Sequence, residues 1–336
     1  MLKRVFHAWE RRLAAAAEGR TVRPFEWGVE WIPELREQAG DEVSRLLDWA
    51  AESVRSSDEF FAAPCTTEFS VEGDRVTFPS TLITPHPENN RVIARYFPDG
   101  SAAGRRRAVL VLPQWNAGED GHVGLCRLMN RFGISALRLS LPYHDVRMPP
   151  ELVRADYIVS ANVGRTLAVC RQAVLDARQA IAWLRLQGYE SIGIMGTSLG
   201  SCLSMLTAAH EPSIKVAALN HISPYFADVV WSGLSTAHVR ESLDPHVDLE
   251  GLREMWMPIS PWPYVERMRG KRSLLVYALY DLSFPLDLSR KLVREFRDQG
   301  VPHEVSVLPC GHYSTGVTPF KYLDGFTICR FLARHL

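Results

Sequence analysis

The chain has no excess of charge of either sign. Its 336 residues carry 38 Lys and Arg against 38 Asp and Glu, a formal net charge of +0. A nucleic-acid binder needs a basic face, so that class is set aside. The one basic triplet, Arg105-Arg106-Arg107, stands just before a strand-like run and reads as solvated loop. No apolar run is long enough for a membrane-spanning helix, so no integral membrane segment is expected. Leu13 to Ala17 is too short and too weakly apolar for a signal-peptide core. The six cysteines form no C-x-x-C pair, which leaves free thiols in a reducing, cytoplasmic setting as the plain expectation. No G-x-G-x-x-G opens a helix after a strand, so a dinucleotide is not expected, nor any other cofactor. His122, His144 and Asp145 have no metal-ligand spacing, so no metal is expected either.

What is present is an alternation. Residues 1–62 read as a helical extension, with Val43, Leu46, Leu47, Ala50 and Val54 on one apolar face. Trp9, Trp27, Trp31 and Trp49 fit packing of this extension on the main domain or on a second copy of the chain, as a homodimer. Residues 63–336 read as one α/β domain. Glu68–Val71, Arg75–Phe78 and Arg91–Phe97 are short strands with turns at Gly73-Asp74 and Asn89-Asn90. Strands are then expected at 108–112, 134–141, 192–195, 215–219, 273–279 and 303–308. Helices are expected at 124–132, 164–186, 199–210, 286–299 and 319–334. Such alternation gives a mostly parallel central sheet with helices on both faces. Between residues 222 and 270 it stops. A structureless loop of that length is improbable in a compact domain, so helices are expected at 226–243 and 249–257.

Gly196-Thr-Ser198-Leu-Gly200 joins the 192–195 strand to the 199–210 helix. This is G-x-S-x-G in the strand–turn–helix setting that gives the pattern its meaning. Both glycines remove side chains that would collide in so tight a turn. The serine hydroxyl is lifted to a helix N-terminus, where partial positive charge helps hold an oxyanion.

This order of strands, the serine turn and the strand-ending segments after it resemble the α/β-hydrolase superfamily, in its esterase and peptidase-like branches, over residues 66–336. The resemblance implies the α/β-hydrolase fold, with a triad in the chain order serine, acid, histidine. Asp281 ends the strand-like run Leu274-Leu-Val-Tyr-Ala-Leu-Tyr and is the expected acid, with Asp287 as the alternative. His312, in Pro-Cys-Gly-His after the final strand, is the expected base. It would take the Ser198 proton during attack, while Asp281 holds the imidazole and stabilises the imidazolium. The resemblance also implies two oxyanion-hole amides. One is Leu199, directly after the nucleophile. The other lies in Pro113-Gln-Trp-Asn-Ala-Gly118, where Trp115 is preferred and Asn116 kept in reserve. The family often has His-Gly where this chain has Pro113-Gln114.

Tyr143 and Arg147, after a strand at the same sheet end, are candidate substrate contacts. Residues 222–270 stand where the family often carries a lid. Trp231, Trp256 and Trp262, with Met255 and Met257, suit an apolar substrate or form the lid's own core, and Trp231 is the substrate contact expected from this segment. The expected activity is a serine hydrolase acting on a small-molecule acyl substrate, a carboxylesterase on a small or medium apolar ester. A thioesterase, lipase or peptidase of the same fold is the enzymatic alternative, and a non-catalytic binding protein the other.

Overall fold

The computed structural model describes residues 2–64, 66, 68–100 and 106–336. Arg105 of the basic triplet and Cys65 lie outside the described residues. Among the described residues nine strands form one sheet: β1 (Ser70–Glu72), β2 (Arg75–Pro79), β3 (Arg91–Phe97), β4 (Arg107–Leu112), β5 (Ser135–Leu139), β6 (Ser191–Thr197), β7 (Ile214–Asn220), β8 (Arg272–Ala278) and β9 (His303–Leu308). Their spatial order is β1-β2-β3-β5-β4-β6-β7-β8-β9. The first three strands pair antiparallel with their neighbours, and β4 through β9 are mutually parallel.

β4 shows why the parallel half reads as unbroken apolar sequence. Alternate side chains of a strand point to opposite faces. Ala108, Leu110 and Leu112 enter one core, Val109 and Val111 the other. Both faces are covered, so neither can be polar. On the first face lie α5 (Val163–Leu186), α6 (Leu199–His210) and α10 (Leu286–Asp298); on the second lie α4 (Val123–Arg131) and α11 (Phe320–His335).

The amino-terminal segment carries α1 (Leu2–Ala15), α2 (Glu42–Arg55) and α3 (Ser57–Phe60). Asp41 caps α2 by accepting the Ser44 N–H at 3.0 Å, satisfying an amide the helix itself leaves unpaired. Leu46 and Ala50 are fully buried, as their spacing requires. Ile32, Leu35, Leu46, Phe60 and Phe61 belong to the same apolar cluster as α5 and α6. This segment therefore shares the core of the sheet.

Residues 222–270 fold as α7 (Phe226–Ser232), α8 (Ala237–Leu243), α9 (Leu249–Met255) and short 3-10 turns. The single helix expected over 226–243 is broken at Gly233. There the chain leaves its helical ladder, and the Leu234 N–H donates to Leu282 O at 2.8 Å. A Cβ at Gly233 would stand 2.7 Å from Ser283 O, so only glycine allows this approach. Trp256 is fully buried, with its indole N–H donating to Val163 O at 3.2 Å; it is core to this insertion. Among the described residues no helix is long and apolar enough to cross a membrane.

Candidate active site

Ser198 stands where β6 ends and α6 begins, at φ 57° and ψ −120°. Side chains other than glycine rarely hold a positive φ, and such outliers persist only when their surroundings enforce them. Here the enforcement is visible. The Ser198 N–H donates to Asn220 O on β7 at 2.8 Å. The Ser201 hydroxyl lies 2.7 Å from Ser198 O and 2.8 Å from His221 O. A Cβ on Gly196 would come within 2.0 Å of Gly200 O, and one on Gly200 within 2.1 Å of Leu112 O. The turn therefore exists only with glycine at both positions.

His312 and Asp281 arrive from the ends of β9 and β8. The Ser198 hydroxyl lies 3.1 Å from His312 Nε2, and His312 Nδ1 lies 2.9 Å from Asp281 Oδ2. A carboxylate only accepts, so Nδ1 carries the proton and Nε2 offers its lone pair to the serine. Asp281 Oδ1 accepts the Ser283 and Phe284 N–H groups at 2.8 and 2.7 Å. Phe284 lies parallel to the His312 ring at 5.2 Å and limits its tilt. Asp287, the alternative acid, lies apart from this relay in the first turn of α10.

A second imidazole shares the acid. The His221 Nδ1–H donates to the same Asp281 Oδ2 at 2.8 Å. His221 follows β7, is buried, and has φ 56°. Sequence reasoning does not select it, because a lone histidine after a strand carries no motif. Burial alone would raise the Asp281 carboxyl; the two imidazoles and their hydrogen bonds outweigh it and hold the group well below the usual carboxylate range. Burial opposes charge on His312 too, yet Asp281, with Glu10 adding to it, raises this imidazole above its ordinary value. Burial, with His312 beside it, lowers His221. His221, Asp281 and His312 also have metal-ligand spacing, their donor atoms lying within 4.8 Å. Hydrogen bonds within the relay already use both Nδ1 atoms and both carboxylate oxygens.

The loop after β4 is fixed by a different histidine. The Asn116 N–H donates to His144 Nε2 at 3.0 Å, and His144 Nδ1 meets Pro142 O at 2.9 Å. Burial holds His144 at about 4, so it stays a neutral acceptor. This takes Asn116, the reserve oxyanion donor, out of consideration. The Trp115 indole N–H donates to Ala155 O at 2.8 Å, which pins the side chain and not its backbone amide. Leu199 is the first residue of α6, where helix geometry leaves the amide without an intrahelical partner.

Ser198 and Trp115 both line two spaces. One, of about 920 Å³, runs past Thr197 and His312 to Leu125 and Tyr322. The other, of about 40 Å³, is walled by Leu199, Cys202, Phe226, Val230 and Phe284. Three expected substrate contacts lie elsewhere. Arg147 is fully buried and ion-paired with Asp176 at 2.8 Å, and it also donates to Ser140 O and Asn89 O. Tyr143 is fully buried, its hydroxyl 3.0 Å from His86 Nδ1. Arg147 turns inward to pair with Asp176, and Tyr143 turns inward to His86, its backbone N–H donating to Asn89 Oδ1 at 3.0 Å. Trp231 lies outside the residues lining either space and carries Arg240 over its ring at 5.0 Å.

No family model and no curated protein sequence matches the chain. Solved structures do. The acylaminoacyl peptidase of Pyrococcus horikoshii is 17% identical at a TM-score of 0.59, over 80% of this chain and 42% of its own. The chain thus spans about two fifths of that enzyme's length. Acetyl xylan esterase 1 from Thermoanaerobacterium sp. JW/SL YS485 is 14% identical at a TM-score of 0.59, over 96% of this chain and 98% of its own. An esterase of Pyrobaculum calidifontis is 16% identical at 0.52, over 90% and 98%. At these identities the likeness is one of fold, and the fold is that of the α/β-hydrolases.

Proposed function

We propose that the chain is a serine hydrolase that cleaves an ester-type acyl bond through Ser198, His312 and Asp281. The observation that carries this reading is the hydrogen-bonded series Ser198 Oγ, His312 Nε2, His312 Nδ1, Asp281 Oδ2, at 3.1 and 2.9 Å. It begins at a serine held at φ 57°. His312 takes the hydroxyl proton as Oγ attacks the carbonyl carbon. Asp281 keeps the imidazole in the Nδ1–H tautomer and stabilises the imidazolium. The Leu199 and Trp115 amides are the donors for the oxyanion, and loss of one such donor costs on the order of a hundredfold in rate. His312 then protonates the leaving group. Water, deprotonated by the same imidazole, attacks the acyl-enzyme and releases the acid.

The two unequal spaces beside Ser198 support a short acyl group in the narrow apolar one and the leaving group in the wide one. We therefore favour a carboxylesterase on a short-chain ester. The same relay attacks an amide, so a peptidase is the reading to test against it. Five buried, unpaired cysteines among the described residues are consistent with a reducing, cytoplasmic setting.

A fluorophosphonate probe tests the reading. Labelling of the intact chain that disappears in Ser198→Ala is expected, together with faster turnover of p-nitrophenyl acetate than of the decanoate or of a peptide anilide. A folded protein that takes no label overturns it, and preference for the anilide replaces the esterase with a peptidase.

A further inference from the structure

The loop carrying His312 is shaped by a side chain from the other end of the sequence. Residues 310–316 leave β9 and turn back before α11. Their amides at Gly311, Tyr313 and Ser314 find acceptors outside any strand ladder. Glu10, on the inner face of α1, is fully buried. Its Oε2 accepts the Tyr313 N–H at 2.8 Å; its Oε1 accepts the Ser314 N–H at 2.9 Å and the Ser314 hydroxyl at 2.6 Å. That hydroxyl oxygen in turn accepts the Gly311 N–H at 2.8 Å. The amides on both sides of His312 therefore end on one carboxylate, directly or through one hydroxyl. Gly311 belongs to the same fit, since a Cβ there would lie 2.3 Å from Glu10 Cδ. One helical turn earlier, Phe6 stacks on Tyr280 with ring centres 4.5 Å apart, next to Asp281. Arg20, past the end of α1, donates to the Tyr313 hydroxyl at 2.8 Å.

We propose that Glu10 is a positioning residue for the acyl-transfer relay, and that docking of α1 through it sets the distance from His312 to Ser198. The proposal rests on the serine-hydrolase reading. A carboxylate accepts at both oxygens and donates at neither, which is what three converging donors require. A glutamine of the same shape turns an NH₂ group towards one of them. The buried charge is tolerated because its hydrogen bonds offset desolvation. Catalysis is sensitive to such placement, with a shift of about 1 Å able to cost about 100-fold. Residues 2–15 thereby become a working part of the site.

The test is Glu10→Gln in the full chain, assayed on p-nitrophenyl acetate. A fall in kcat of about 10- to 100-fold is expected, with KM within about threefold. The titratable groups around His312, apart from the serine itself, are Asp281, His221, Glu10 and Tyr313. With the others unchanged, loss of the Glu10 charge moves the acid limb of kcat/KM to lower pH. In a His312→Ala background, Glu10→Gln has no further effect on the residual rate, because the group it positions is gone. Gly311→Ala presses on the same contact from the loop side and is expected to lower kcat with KM held, which covers the case of a Glu10→Gln chain that folds poorly. Wild-type kcat and acid limb in Glu10→Gln overturn the proposal, as does an equal proportional loss in the His312→Ala background. If the intact chain takes no fluorophosphonate and hydrolyses no ester, the serine-hydrolase reading itself has failed. If it is active and Glu10→Gln matches it, only the role of Glu10 has.

Discussion

The serine turn and the histidine loop face each other across 3.1 Å, yet they are built in opposite ways. The turn is nearly self-contained. Its strain, its two glycines and the helix that opens on Ser198 all lie within residues 191–210, and its outside walls are the backbones of the adjoining strands. The histidine loop has no comparable local framework. Its Tyr313 and Ser314 amides are satisfied by Glu10, 304 residues from Ser314 in the sequence, and its ring is set by Asp281 and Phe284. A strand–turn–helix motif supplies its own constraints. A loop between elements must borrow them.

The contrast can be broken at several points. The largest effect is expected in the assembled half. Asp281→Asn is expected to lower kcat by about 10⁴, because an amide favours the wrong imidazole tautomer. Asp287→Asn should stay within about twofold, and steady-state rates for the pair decide the acid; the reverse pattern moves that role to Asp287.

Arg147 provides a control, an assembled cluster with no proposed chemical member. Arg147→Met leaves the Asp176 carboxylate buried without its cation. A stability loss of about 3–5 kcal/mol in urea unfolding is expected, with KM for the ester within about threefold. A raised KM at unchanged stability returns Arg147 to the substrate.

The self-contained half is probed by Gly200→Ala. The added Cβ meets Leu112 O at 2.1 Å and Pro113 O at 2.5 Å. Both are backbone atoms, so no side-chain rotation relieves the clash. A lower melting temperature and a drop of roughly 100-fold in fluorophosphonate labelling rate are expected, on the scale of a 1 Å misplacement. Near-normal values for both would mean that the turn accommodates a side chain at this position and does not depend on glycine there.

The same division governs what is legible in the sequence. The helix at 199–210 and the strands at 91–97 and 303–308 have the expected bounds; the apolar positions of the first two report burial directly, whereas Val305 and Val307 on the edge strand β9 are exposed. Residues 226–243 read as one continuous helix, yet the chain breaks at Gly233, and the Leu234 N–H that follows donates to Leu282 O, a partner distant in the sequence. Tyr143 and Arg147 read as candidate substrate contacts, with ordinary loop packing as the alternative. Position after a strand fixes the end of the sheet at which a residue lies, and neighbours decide whether it turns in or out. His221 and Glu10 carry no local signal at all. The one shares Asp281 only because β7 and β8 are adjacent; the other is an ordinary acidic residue until α1 docks.

The sequence by itself determined the layered α/β sheet, the strained serine between its two glycines, and the sheet end on which Asp281 and His312 fall. These follow from periodicity and sterics, which act between near neighbours in the chain. Only the tertiary structure decided which imidazoles share the acid, which loop arginine is sealed in the core, and that a glutamate near the start of the chain grips the loop bearing the base. Those outcomes depend on hydrogen-bond demand between segments brought together by packing, and a buried donor takes whichever acceptor the fold presents.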